Sequence, residues 1–103
     1  MPDTDEYDGR SRKAVGARLR LTRQAVGLDQ NAFAEAAGLK RTRYTMIENG
    51  TNMPSIEAAT LLCDRYHLTL DWIYFGEMSG LRTATSDAIR KIRYLRHELN
   101  EHD

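Results

Sequence analysis

Residues 27–50 read GLDQNAFAEAAGLKRTRYTMIENG, and the fold is decided within them. Asp29 stands at a helix N-cap position, where its carboxylate can accept the unpaired amide hydrogens of a first turn. From Gln30 the apolar residues Phe33, Ala34 and Ala37 recur at helical spacing, which predicts a short helix over Gln30 to Ala37. Gly38 suits a tight turn, because a left-handed backbone conformation costs glycine little. A second helix is expected from Arg41 to Asn49, with Tyr44 and Ile47 three apart on one face and Asn49-Gly50 as its stop. Helices joined by so few residues must cross closely. Ala34 is small at the crossing, Leu39 plugs the junction, and Phe33, Ala37, Tyr44 and Ile47 supply a shared core. The polar face Arg41, Thr42, Thr45, Met46 and Asn49 is left outward.

Working outward, a preceding helix is expected from near Ser11 to about Val26, closed by Gly27. Val15, Leu19 and Val26 lie near one stripe of it, with Arg18 and Arg20 to the sides. Residues 1–10 form an acidic segment short of aliphatic residues and read as a disordered tail. After the Thr51 to Pro54 loop, Ser55 caps a helix over Ile56 to Tyr66, and a short one follows at Leu70 to Tyr74 with Trp72 and Ile73 as core candidates. Residues 77–85 read as a linker. A last helix, capped by Ser86, is expected from Asp87 to about Asn100. No stretch reads as a strand and there is no internal repeat, so the expectation is all-α: a domain at 11–76 and a C-terminal helix within 86–103.

The charges explain little in bulk and much in distribution. Lys plus Arg and Asp plus Glu both number 15, for a formal net charge of +0. Yet Arg10 to Asn49 holds nine basic residues against three acidic ones, while the first nine residues hold four acids and no base. A neutral chain can therefore still present a basic face to a polyanion. The single cysteine, Cys63, excludes an intramolecular disulfide, and His67, His97 and His102 lack metal-ligand spacing. There is no nucleophile–base pair, phosphate-binding glycine loop or carboxylate cluster, so neither an enzyme, a cofactor nor a metal is expected. With no apolar run long enough to span a bilayer and no signal-peptide pattern, a cytoplasmic, nucleoid-associated protein without membrane contact is the expectation.

Gly27-Leu28-Asp29-Gln30, Phe33-Ala34, Ala37-Gly38-Leu39 and Ile47-Glu48-Asn49-Gly50 together resemble the Cro/C1-type (XRE) helix-turn-helix family of phage repressors and bacterial regulators. Leu70-Asp71-Trp72-Ile73 with Gly76 is similar to that family's fifth helix, so the resemblance covers about Val15 to Gly76. Two positions depart from the pattern. Tyr44 is aromatic where a β-branched aliphatic is usual, and Lys40 replaces the usual Ser or Thr cap. The resemblance implies a five-helix lambda-repressor-like domain that binds double-stranded DNA, here with an additional amphipathic helix. It implies base contacts by Arg41, Thr42, Thr45 and Met46, with Arg43 either alongside them or holding a phosphate instead. Gln30 matches a phosphate-contacting position, and Lys40, Asn49, Thr51 and Asn52 are further backbone candidates by position. Arg23 and Glu48 match a pair that forms a salt bridge between the first and third helices of related repressors.

The family's usual mode is a symmetric dimer on a pseudo-palindromic operator. Ala88, Ile92, Leu95 and Leu99 repeat at steps of four, three and four, a narrow seam able to zip two chains or to fold onto its own domain. Dimerisation through this seam is the preferred expectation, with Leu70 of the fifth helix as an additional contact. A dimeric repressor of a phage, mobile-element or bacterial promoter is the leading reading. An antitoxin-type protein, gripping a partner through its last helix while autoregulating its operon, is the alternative, and an antirepressor is a further candidate partner.

Overall fold

A computed structural model describes residues 6–101, and these form six helices with no strand among them. They are α1 (Arg12–Val26), α2 (Gln30–Ala37), α3 (Arg41–Glu48), α4 (Ile56–Tyr66), α5 (Leu70–Phe75) and α6 (Thr83–Glu101). The caps are those the residue types dictate. Ser11 accepts from the Ala14 amide at 3.1 Å and Asp29 from Ala32 at 2.8 Å. Ser55 and Thr69 do the same for α4 and α5, at 3.1 and 3.0 Å. Gly27 and Gly38 close α1 and α2 with φ of 87° each. Lys40 leaves α3 with no side-chain cap.

Val15, Leu19, Phe33, Ala34, Tyr44, Ile47, Leu62, Trp72 and Ile73 are buried in one core, whereas Val26 is exposed. The unusual Tyr44 is accommodated by other aromatics. Its ring tilts against Phe33 at 5.3 Å, and Phe33 in turn stacks on Tyr66 at 4.1 Å. Helix α1 approaches α3 closely at Gly16. A Cβ on Gly16 would fall 2.5 Å from the Glu48 carbonyl oxygen and 2.6 Å from that of Ile47, so only glycine lets the two backbones meet. This contact fixes where the end of α3 sits.

The chain outside the expected domain differs from the sequence reading. Residues 1–5 of the acidic tail lie outside the described residues, but from Tyr7 the segment is held in place and Tyr7 is buried. The cause is Arg18, expected at the side of a helix stripe and instead wholly buried. Its guanidinium donates to the carbonyls of Trp72 (2.9 Å), Ile73 (2.9 Å), Tyr7 (2.7 Å) and Gly9 (2.6 Å). The carbonyls of Trp72 and Ile73 lie in the last turn of α5, where a cation meets the negative end of the helix dipole, although that of Trp72 also accepts the Gly76 amide at 3.1 Å. Burial lowers the Arg18 pKa, with the charge of Asp8 acting in the opposite sense.

The last helix begins at Thr83 rather than Asp87, and Ser86 is not its cap. The Ser86 hydroxyl is buried inside the helix and donates back to the Thr83 carbonyl at 3.1 Å. The segment read as a linker over 77–85 thus shortens to 77–82. α6 folds back along α1, burying Ile89 completely and Ile92 in part. Arg96 donates to the Tyr7 hydroxyl at 2.9 Å and to the Gln24 side chain at 3.3 Å, and Arg93 pairs with Asp8 at 3.1 Å. The expected seam is therefore split: Ala88 and Ile92 are half-buried, while Leu95 and Leu99 stay exposed beside Tyr94.

Candidate nucleic-acid interface

Successive residues of a helix point about 100° apart, so α3 cannot bury all its faces in one crossing. It buries Tyr44, Ile47 and Glu48 and leaves Arg41, Thr42, Arg43 and Met46 exposed, with Thr45 half-buried. Arg41, Thr42, Thr45 and Met46 line one shallow concavity of about 350 Å³ with no carboxylate in its lining. Four of the five residues expected to touch bases are thereby brought together. Arg43 lies on the other flank of the helix. It donates to the Ser55 hydroxyl at 2.7 Å and lines a second cavity with Arg12, Ile47, Asn52, Met53 and Ser55.

The expected backbone-contact residues border this surface. Lys40, Asn49, Thr51 and Asn52 are exposed. The amides of Thr51 and Asn52 both donate to the Met46 carbonyl, at 2.9 and 3.2 Å, folding the loop back over the end of α3. Gly50, at φ 80°, rests on the start of α1, where an added Cβ would lie 3.1 Å from Lys13 Cα. That approach places exposed Arg12 and Lys13 beside the loop. The sequence reading counted both only within the local basic excess.

Gln30 is engaged inside the protein. Its amide nitrogen donates to Glu48 Oε1 at 2.9 Å, and its amide oxygen accepts from the Thr45 hydroxyl at 3.5 Å. It thus ties the first turn of α2 to a residue of the outward face of α3.

Glu48 anchors α3 from behind, and its side chain is entirely inaccessible to solvent. Arg23 grips it with both forks, Nε to Oε2 and Nη2 to Oε1, each at 2.9 Å. Arg20 adds a contact at 3.3 Å. Burial by itself would push the Glu48 pKa up. Hydrogen bonds from Arg23, Tyr44 and Gln30, with the charge of Arg23, outweigh it and hold the carboxyl at about 2. The same hydrogen bond raises the pKa of Arg23. Burial, followed by the charge of Glu48, raises that of Tyr44. The pair expected from the resemblance is formed, and it joins α1 to α3 as a bidentate, buried ion pair.

No group of three or more His, Cys, Asp or Glu poised to hold a metal occurs among the described residues, and His102 lies outside them. Among the same residues no helix is long and apolar enough to cross a membrane. A closely crossed helix pair, a bidentate ion pair behind the second helix and a carboxylate-free outward face define a helix-turn-helix protein of the DNA-binding, transcription-regulating class. Residues 10–73 match the helix-turn-helix family, and the chain belongs to it, in its Cro/C1-type branch. The chain is 39% identical over 59 residues to an uncharacterised HTH-type transcriptional regulator of Bacillus subtilis (strain 168), YqaF. The match covers 57% of this chain and 75% of that protein. No solved structure matches the chain.

Proposed function

We propose that the protein is a homodimeric repressor that lays α3 in the major groove of a pseudo-palindromic DNA operator and so blocks transcription. The observation that carries this reading is the concavity shared by Arg41, Thr42, Thr45 and Met46 on a helix anchored from behind by Glu48 and Arg23. Arg41 supplies a fork matched to guanine O6 and N7, while the methyl groups of Thr42, Thr45 and Met46 suit a thymine methyl. Lys40, Asn49, Thr51 and Asn52 contact phosphates at the rim and set the register without reading sequence. Gln30 holds Thr45 in place and offers its remaining amide hydrogen to the backbone. The protein acts at the nucleoid, in the cytoplasm. Selection of bound duplexes from a random pool tests this directly. A recovered motif of two inverted half-sites about one helical turn apart supports it, and failure to enrich any sequence contradicts it.

Dimerisation is assigned to the part of α6 left uncovered, with Tyr94 62%, Leu95 46% and Leu99 69% exposed. Leu70, 39% exposed, is an additional contact. Three large apolar side chains facing water on one helix favour burial against a second copy. The same stripe also suits a second reading, in which it holds a toxin or antirepressor and the helix-turn-helix autoregulates. Sedimentation separates the two. A dimer that becomes monomeric on Leu95→Glu with Leu99→Glu supports the repressor; a wild-type monomer shifts the stripe to a heterologous partner.

A further inference from the structure

Met46 brings to the outward face of α3 a chemistry that base reading does not use. Its side chain is 42% exposed and lines the concavity with Arg41, Thr42 and Thr45. The backbone around it is held, since its carbonyl accepts the Thr51 and Asn52 amides at 2.9 and 3.2 Å. The same loop reaches the sulfur, where Asn52 Nδ2 donates to Sδ at 3.9 Å. A thioether facing water is open to two-electron oxidation, and that step needs no deprotonation. Met53 is also exposed, but it lines the cavity on the other flank of α3, and Met78 is partly buried against the core. Cys63 is poorly placed as a thiol sensor. It is half-buried, and burial followed by the charge of Asp64 raises its pKa, so little thiolate forms near neutrality.

We propose that Met46 is a reversible oxidation site at which a peroxide blocks operator binding, a role that rests on the reading of α3 as the helix that meets base edges. A sulfur lone pair attacks one oxygen of hydrogen peroxide, and the O–O bond breaks as the S–O bond forms. The proton on the transferred oxygen passes to the departing hydroxide, leaving the sulfoxide and water. Sulfur is oxidised by two electrons and the peroxide is reduced. The product puts a strong hydrogen-bond acceptor where an apolar surface stood. Against a thymine methyl that oxygen finds no donor and must shed its water. It also lies within reach of the Asn52 amide, which already donates to the sulfur, and so captures a side chain assigned to a phosphate. One added oxygen thus weakens a base contact and a backbone contact together.

The test treats the full chain with hydrogen peroxide and follows sulfoxide at each methionine by peptide mass spectrometry. Affinity is measured for the selected duplex and for a scrambled duplex of the same composition. The selected duplex should be lost by about ten-fold, in step with sulfoxide at Met46, and the scrambled one by less. Methionine sulfoxide reductases should restore binding. Met46→Leu should lose nothing further on treatment, whatever affinity it starts from, while Met53→Leu and Cys63→Ser should lose as much as wild type. The rate of loss should be equal on either side of neutrality, which a thiol would not give. Full sulfoxide at Met46 with unchanged affinity would overturn the proposal, as would a loss that persists in Met46→Leu or vanishes in Cys63→Ser. Met46 left unoxidised while Met53 is converted would overturn it too. If the untreated protein selects no duplex, the base-reading assignment itself fails; if it binds and stays bound after treatment, the oxidation site alone fails. Matching melting curves before and after treatment separate the loss from unfolding.

Discussion

Two arginines of α1, the wholly buried Arg18 and the half-buried Arg23, are held by opposite means. Arg23 meets a carboxylate fork to fork and fixes the position of α3. Arg18 meets no carboxylate; it is surrounded by backbone carbonyls of the N-terminal segment and of α5. The first network faces the candidate interface and sets its geometry. The second ties the N-terminal segment and the end of α5 to α1. A buried cation can thus serve recognition or assembly, according to whether its acceptors lie on the presenting helix or on the ends of the chain.

The comparison predicts graded effects. Arg18→Leu should be the most damaging substitution, since it removes a donor shared by four carbonyls and releases the Tyr7 segment. A loss of about 5 kcal/mol is expected by chemical denaturation. Stability within 1 kcal/mol of wild type, on the order of the cost of an ordinary surface change, would show the carbonyls to be satisfied in other ways.

Glu48→Gln should cost about 4 kcal/mol, because it leaves Arg23 largely buried without a counter-charge. The sign of the pH dependence follows from the depressed pKa. The folded-state value of about 2 lies below the ordinary 4.5, so the stabilisation by Glu48 is complete above pH 4.5 and is lost as pH falls toward 2. Thermal melts across that window should show a steeper acid limb for wild type than for Glu48→Gln. Parallel limbs would assign the acid sensitivity to other groups.

Gly16→Ala should cost about 3 kcal/mol, near the upper end for overpacking, because the added carbon meets backbone rather than a side chain that can turn away. It should also reduce sequence-specific DNA binding more than non-specific binding, since it pushes α3 outward. An unaffected melting temperature would mean that the crossing can open without loss.

Much of this was legible in the residues, and the rest was hidden for identifiable reasons. The α2–α3 pair and the Arg23–Glu48 bridge could be read because caps, turn glycine and apolar spacing all lie within one short stretch. Arg18 could not, since a charged residue flanking an apolar stripe looks like a solvated face until α5 delivers its carbonyls. Tyr7 was lost in an acidic segment for the same reason: the residues that bury it come from α1 and α6. Gly16 carried a usable signal, a glycine inside a helical pattern, which marks a close backbone approach. On α6 the helix was legible, but the face that packs on its own domain was not. Thr83 to Thr85 looked like linker, so the helix was started late and Ile89, which packs on the core, was passed over in favour of Leu95 and Leu99. At the interface, Arg41 and Arg43 stand on opposite flanks of α3, a separation that their proximity in sequence conceals.

The central claim is that the Arg41 side of α3 reads sequence. It is tested most directly by comparing Arg41→Ala with wild type on the selected duplex and on its scrambled counterpart at fixed salt. A loss of about 2 kcal/mol on the selected duplex with little change on the scrambled one is the predicted result. Equal losses on both, or none on either, would contradict it.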